Sequence, residues 1–164
     1  MGAASQRYFD KMRRAHFPVP PGAGPAHITL FRHLPPSAAD EISRRVRAIA
    51  AEYRAFDVRL GEPYLLEKGV AFALHSSELQ AIWHRLAHEL EGLILGADRA
   101  EPRFHITVQN HRPHAEARAL LKQLQHNAEP PPAVSIIGLT LSRHRVNADE
   151  RPHIIKFRGE RRAY

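Results

Sequence analysis

The chain has 164 residues, 43% of them apolar, which suits one domain with a substantial core; no run approaches the ~20 apolar residues of a membrane-spanning helix. Cysteine is absent, which excludes disulfides, thiolate metal sites and cysteine nucleophiles and fits a reducing cytoplasm. A formal charge of +7, with 20 of 24 basic residues arginine, attracts polyanions such as RNA and phosphorylated nucleotides, although a GC-rich genome gives the same arginine and alanine bias without any such partner.

The first residues, Met1 to Gln6, carry no apolar run and so read as no secretory signal, which leaves a cytoplasmic expectation. Tyr8, Phe9, Met12 and Ala15 recur at helical spacing, predicting a helix over 5–15. Pro18, Pro20, Pro21, Gly22 and Gly24 break the chain after it. Residues 26–31 alternate like a strand: Ala26, Ile28 and Leu30 on one face, His27, Thr29 and Phe31 on the other. Ser37 followed by Asp40 reads as a helix cap with first-turn charge, ahead of the stripe Ile42, Val46, Ile49 and Tyr53. Phe56–Leu66 and Gly69–His75 read as two strands joined by a tight turn. Ser77-Glu78 opens a helix with the stripe Leu79, Ile82, Trp83, Leu86 and Leu90, and Gly96-Ala97-Asp98 reads as a loop. Residues 103–109 are again strand-like, with Phe104, Ile106 and Val108 facing one way and His105, Thr107 and Gln109 the other. A helix follows from Pro113, burying Ala117, Leu120, Leu121 and Leu124. After Pro130-Pro131-Pro132, residues 133–142 and 152–158 read as the last two strands, and the charged tail Gly159–Tyr164 as mobile.

Helix, strand, helix, strand, strand thus occurs twice, with the two H-I-T tripeptides 78 residues apart. That is the pattern of an internal duplication. The expectation is one α+β domain over 1–164. Two pseudo-symmetric lobes, about 5–75 and 77–158, would set antiparallel strands and outer helices around a central cleft.

On a strand, residues i and i+2 share a face about 6.6 Å apart. A histidine and a threonine so placed can reach one small anion. Imidazole exchanges protons near neutral pH, and a threonine hydroxyl donates to a phosphoryl oxygen. One H-x-T strand is more often a half-exposed strand than a site. Two copies in equivalent places are different, because core packing accounts for Ile28 and Ile106 but not for His and Thr on both opposite faces. Two imidazoles on one phosphate suit in-line displacement, one taking a proton from the nucleophile and the other protonating the departing oxygen. Such chemistry needs no metal and no cofactor.

His27-Ile28-Thr29-Leu30 and His105-Ile106-Thr107-Val108 resemble the H-x-T-x signatures of the two-histidine phosphoesterase superfamily, and within it the 2′-5′ RNA ligase-like proteins. Arg14-Ala15-His16-Phe17-Pro18 before the first signature and Leu30-Phe31-Arg32-His33-Leu34-Pro35 after it add to the likeness, which runs from about Tyr8 to Phe157. The resemblance implies a two-lobed α+β fold with a cleft. It implies His27 and His105 as the acid–base pair, Thr29 and Thr107 as phosphate ligands, and action on 2′,3′-cyclic phosphates or 2′-5′ linkages of RNA or nucleotides. The chain departs from that family in two places. It starts almost directly at the first helix, where relatives have a strand, so the expectation is either a sheet that lacks an edge strand or a chain that begins downstream of the natural start; an open edge would favour dimerisation, as a homodimer, or aggregation. The segment Ser142–Pro152 lacks the aromatic and glycine-rich pattern expected between the last strands.

Arg103, two residues before His105, is a candidate phosphate contact and equally a surface arginine. Phe31 and Tyr64 can stack on a base, but packing of Phe31 within its own lobe and of Tyr64 in the core are the better readings. His84 and His88 have the i, i+4 spacing of a zinc pair, yet lack an H-E-x-x-H motif and a third ligand, so a solvated helix face is preferred. His111 and His114 read as polar loop residues, and Arg44, Arg45 and Arg47 as a solvated helix face. His75 has no interpretable spacing. The rival to an enzyme is a non-catalytic module that holds RNA ends or nucleotides; retention of two complete H-x-T pairs favours the enzyme.

Overall fold

The computed structural model describes residues 1–17, 24–127, 131–142 and 153–158. The breaks expected at Pro18, Pro20, Pro21, Gly22 and Pro130, most of the segment 142–152, and the tail 159–164 lie outside the described residues. Among the described residues the protein has four α-helices, a curled four-stranded antiparallel sheet and a two-stranded sheet, which is the α+β class expected. No helix among them is long and apolar enough to cross a membrane.

Helix α1 (Ala3–His16) buries Ser5, Phe9 and Arg13 and leaves Tyr8 and Met12 half-buried against the core; Ala15 is exposed. Helix α2 (Ala39–Ala50) buries Ile42, Val46, Ile49 and Ala50. The expected Ser37 cap is not formed: Ser37 lies in a 3-10 turn, Pro36–Ala38, that follows Pro35, and α2 starts after Ala38 with no side-chain cap. Asp40 and Glu41 in its first turn instead oppose the partial positive charge of the helix start. Tyr53 falls beyond α2 and packs against Phe157, ring centroids 6.0 Å apart.

Strands β1 (Phe56–Leu66) and β2 (Gly69–His75) form the expected hairpin. Glycine is required at position 69, where any side chain would run into the carbonyl of Gln109. Helix α3 (Ser77–Glu89) is capped by Ser76, whose hydroxyl accepts from Leu79 N–H at 3.2 Å, and its whole predicted stripe is buried. Strand β3 (His105–Gln109) and helix α4 (His114–Asn127) follow.

Residues 133–142 are two strands where one was expected, β4 (Val134–Ile136) and β5 (Gly138–Leu141). The chain changes sheets at Ile137, whose carbonyl accepts from Phe157 N–H at 3.0 Å. β5 then pairs with β6 (His153–Lys156) beneath α2. The main sheet runs β3-β2-β1-β4, combining strands from both halves of the chain. Gly2 N–H donates to the Ser135 carbonyl on the β4 edge at 2.8 Å.

Cross-strand partners point to the same face. Phe72 and Ile106 are partners and face the core, where Phe9 of α1 meets Phe72 edge-on at 5.6 Å. The opposite face carries His105 and Thr107.

Candidate active site

β3 pairs with β2 as Ala73↔His105, Phe72↔Ile106 and Ala71↔Thr107, so the second H-I-T stands its His and Thr over two alanines. The register then shifts: Val70 pairs with Gln109, leaving Val108 as an extra residue. Such a bulge reverses the alternation beyond it. Gln109 therefore joins Val70 on the core face, 5% exposed, and does not share the face of His105 and Thr107 as its spacing predicted. A second shift, in β1 between Leu60 and Pro63, sets Tyr64 opposite Ala71. Tyr64 is thereby moved from the expected core to the motif face. Its ring meets His105 edge-on at 6.2 Å, and the Arg103 guanidinium lies 3.8 Å above its centroid. Burial pushes the Tyr64 hydroxyl pKa up, opposed by the charge of Arg103.

The first H-I-T lies along the free edge of β3. Ile28 and Ile106, the middle residues of the two tripeptides, form an isolated antiparallel bridge. That register sets residue 27 across from 107 and residue 29 across from 105, on the face opposite the bridged isoleucines. The structure thus brings His27, Thr29, His105 and Thr107 together on one face. His27 is exposed, and the other three are half-buried.

Residues 26–31 do not form the expected strand, and side chains explain why. Asp10 accepts from Ala26 N–H at 2.7 Å, and Gln6 donates to the Ala26 carbonyl at 2.9 Å, consuming the groups a ladder would use. Arg13, 8% exposed, donates to the Thr107 carbonyl at 2.9 Å and the Gly24 carbonyl at 3.4 Å. Its pKa is lowered by burial, against the stabilising charge of Asp10. Past the motif, one oxygen of Asp98, also 8% exposed, accepts from both Arg32 N–H and His33 N–H at 2.7 Å. Helix α1 therefore ties the start of the first motif to the second, and Asp98 anchors the chain just past the first motif.

A family model described as the 2′-5′ RNA ligase superfamily matches residues 2–148. The chain belongs to the 2′-5′ RNA ligase superfamily. No curated protein matches it. For this superfamily member, membership supports activity of the two-histidine phosphoesterase type in general, with RNA or nucleotides as the substrate class.

The two histidines of this superfamily member are held alike. His27 Nδ1 lies 2.8 Å from the Pro25 carbonyl and His105 Nδ1 lies 2.6 Å from the Arg103 carbonyl, in each case two residues back along the chain. A carbonyl oxygen only accepts, so each Nδ1 carries hydrogen and each Nε2 is left to exchange a proton. The arrangement holds whether the ring is neutral or charged.

The remaining candidates lie elsewhere in their packing. Phe31 stacks on Trp83 at 5.9 Å, so it packs across to the second half of the chain rather than within its own lobe as expected. His84 Nε2 is engaged by Glu101 at 3.0 Å rather than with His88. Among the described residues, no group of three or more His, Asp or Glu side chains is gathered to hold a metal. His111 adopts φ 56° and its ring meets Phe17 edge-on at 6.2 Å. Arg44 and Arg47 are exposed, whereas Arg45 bonds Glu41 and the Glu89 carbonyl. Two cavities, of about 420 Å³ along α4 and about 360 Å³ between β1 and residues 131–134, include none of the four motif residues. Gln6, Asp10, Arg13 and Asp98 were missed from the sequence. Gln6, Asp10 and Arg13, at i, i+4 and i+7, signal one polar helix face, whereas Asp98 carries no pattern at all.

Proposed function

We propose that the chain is a metal-independent phosphodiesterase acting on 2′,3′-cyclic phosphate or 2′-5′-linked RNA and nucleotides, with His27 and His105 as general base and general acid. The observation that carries the reading is the bridge between Ile28 and Ile106, which sets the two H-I-T tripeptides side by side. In hydrolysis, one neutral Nε2 takes a proton from water as its oxygen attacks phosphorus. The P–O bond to one ribose oxygen breaks, and the other imidazolium protonates that oxygen, giving a phosphomonoester. With an RNA 5′-hydroxyl in place of water, the same transfers form a 2′-5′ linkage. Thr29 and Thr107 donate to the phosphoryl oxygens, stabilising charge as it develops. Because the two histidines are presented alike, substrate orientation decides which is acid and which is base.

The test is hydrolysis of nucleoside 2′,3′-cyclic phosphates in EDTA by the native chain, His27→Ala and His105→Ala. The reading expects turnover in chelator and a loss of about 10²–10⁴-fold in either variant, the range of one lost proton transfer. Tight binding without turnover across cyclic and 2′-5′ substrates would make it a binding module instead. Activity removed by chelator would point to a metal.

A further inference from the structure

The face that carries His105 continues beyond the two motifs. β1 pairs Arg59 with His75. The Leu74 N–H to Phe104 carbonyl bond, 2.9 Å, extends the β2–β3 register one residue past Ala73↔His105, so Arg103 falls opposite His75. Arg59, His75 and Arg103 therefore form a row across three strands, on the face of His105 and two residues along from it. Gly61 makes room for the row: a Cβ there would stand 2.8 Å from His75 Nε2 and 3.2 Å from Ala73 Cβ, so the imidazole lies over the glycine beside Ala73. The Arg103 guanidinium carbon lies 3.8 Å from the Tyr64 ring centroid, a cation–π contact that uses none of its N–H donors. All three side chains are exposed, and none makes an ion pair among the described residues.

We propose that Arg59, His75 and Arg103 form a second anion subsite, taking a phosphate one nucleotide removed from the phosphate that His27 and His105 act on. Two strand residues span about 6.6 Å, the scale of one step along an extended nucleotide chain. The inference rests on the function proposed above and narrows it: the substrate is the end of an RNA strand rather than a lone nucleotide.

The test compares kcat/KM on adenosine 2′,3′-cyclic phosphate, its 5′-phosphorylated form, and the dinucleotide ApA ending in 2′,3′-cyclic phosphate. The native chain should prefer the dinucleotide by about tenfold or more, the worth of one charge-assisted contact. Arg59→Gln and His75→Gln should each reduce that preference. An equal gain with the 5′-phosphorylated nucleotide identifies a terminal phosphate as an occupant, and a gain with the dinucleotide alone identifies the backbone phosphodiester. A preference that is absent, or that survives both substitutions, overturns the subsite. Calorimetric binding of the 3′-phosphorylated dinucleotide across a salt series gives a readout independent of turnover. Arg59→Gln should lower the slope of log Kd against log salt by about 0.7, the value for one phosphate contact on a single strand, and His75→Gln should weaken binding. Unchanged binding in both variants refutes the subsite even where catalysis is intact. Salt-sensitive binding lost in the variants, with no turnover of any substrate, refutes the catalytic reading and leaves the subsite standing.

Discussion

Replacing Arg13 should loosen the link between the two motifs. Its guanidinium is buried, donates to the Thr107 carbonyl at 2.9 Å and more weakly to the Gly24 carbonyl at 3.4 Å, and lies 4.6 Å over the Phe17 ring. A charge-assisted hydrogen bond contributes about 1.5–3 kcal/mol, and a cation–π contact about 0.5–1 kcal/mol. Arg13→Ala also leaves the Thr107 carbonyl without this partner, so the loss should be about 3 kcal/mol. For a chain of this size each kcal/mol moves Tm by roughly 2–4 °C, which predicts a fall of about 6–12 °C. Displacing a motif by about 1 Å costs on the order of 10²-fold in rate, so kcat should fall by that order with KM changing much less. Arg13→Lys keeps the charge and one donor and should recover part of both losses. Melting followed by circular dichroism, and kcat measured well below the melting range of the alanine variant, provide the assay. A Tm within about 2 °C of native together with kcat within about threefold would refute the clamp.

Other outcomes follow from the same contacts. Asp98→Ala removes the oxygen that accepts two backbone N–H groups and should lower stability by about 2–4 kcal/mol, with Asp98→Asn losing about half as much; urea midpoints at constant m value measure it, and unchanged midpoints contradict it. The Glu78 carboxylate is held below its usual pKa by its own backbone amide and then by the Ser76 and Ser77 hydroxyls. Its folded-state pKa lies below the unfolded one, so its contribution is present above the ordinary glutamate value and is lost as pH falls below it. Glu78→Gln should therefore lower Tm slightly at neutral pH and flatten the acid-side fall, the two proteins converging at low pH; a Tm difference that is the same at every pH contradicts that sign.

The helices and the β1–β2 hairpin were legible because their signals are local. The α3 stripe and the Glu67-Lys68 turn need only neighbours in sequence to be read. The H-I-T pair was legible as a repeat, and the Ile28–Ile106 bridge supplies its spatial meaning. What escaped depends on partners distant in the chain. The strand pattern of 26–31 gave no sign that Asp10 and Gln6 would occupy the backbone groups of Ala26, or Asp98 those of Arg32 and His33 just past it. The faces of Tyr64 and Gln109 were misread because alternation carries no mark of a bulge, and one extra residue reverses every side chain beyond it. His75 had no interpretable spacing because its neighbour Arg103 is 28 residues away and meets it only through strand pairing.

The pH dependence of kcat/KM on a cyclic phosphate, under conditions where the chemical step is rate-limiting, tests most directly whether two imidazoles share the proton traffic. The profile should be bell-shaped, rising as the base loses its proton and falling as the acid loses its own, and removing either ring should abolish the bell. A rate that stays flat from pH 5 to 9 contradicts the assignment of His27 and His105.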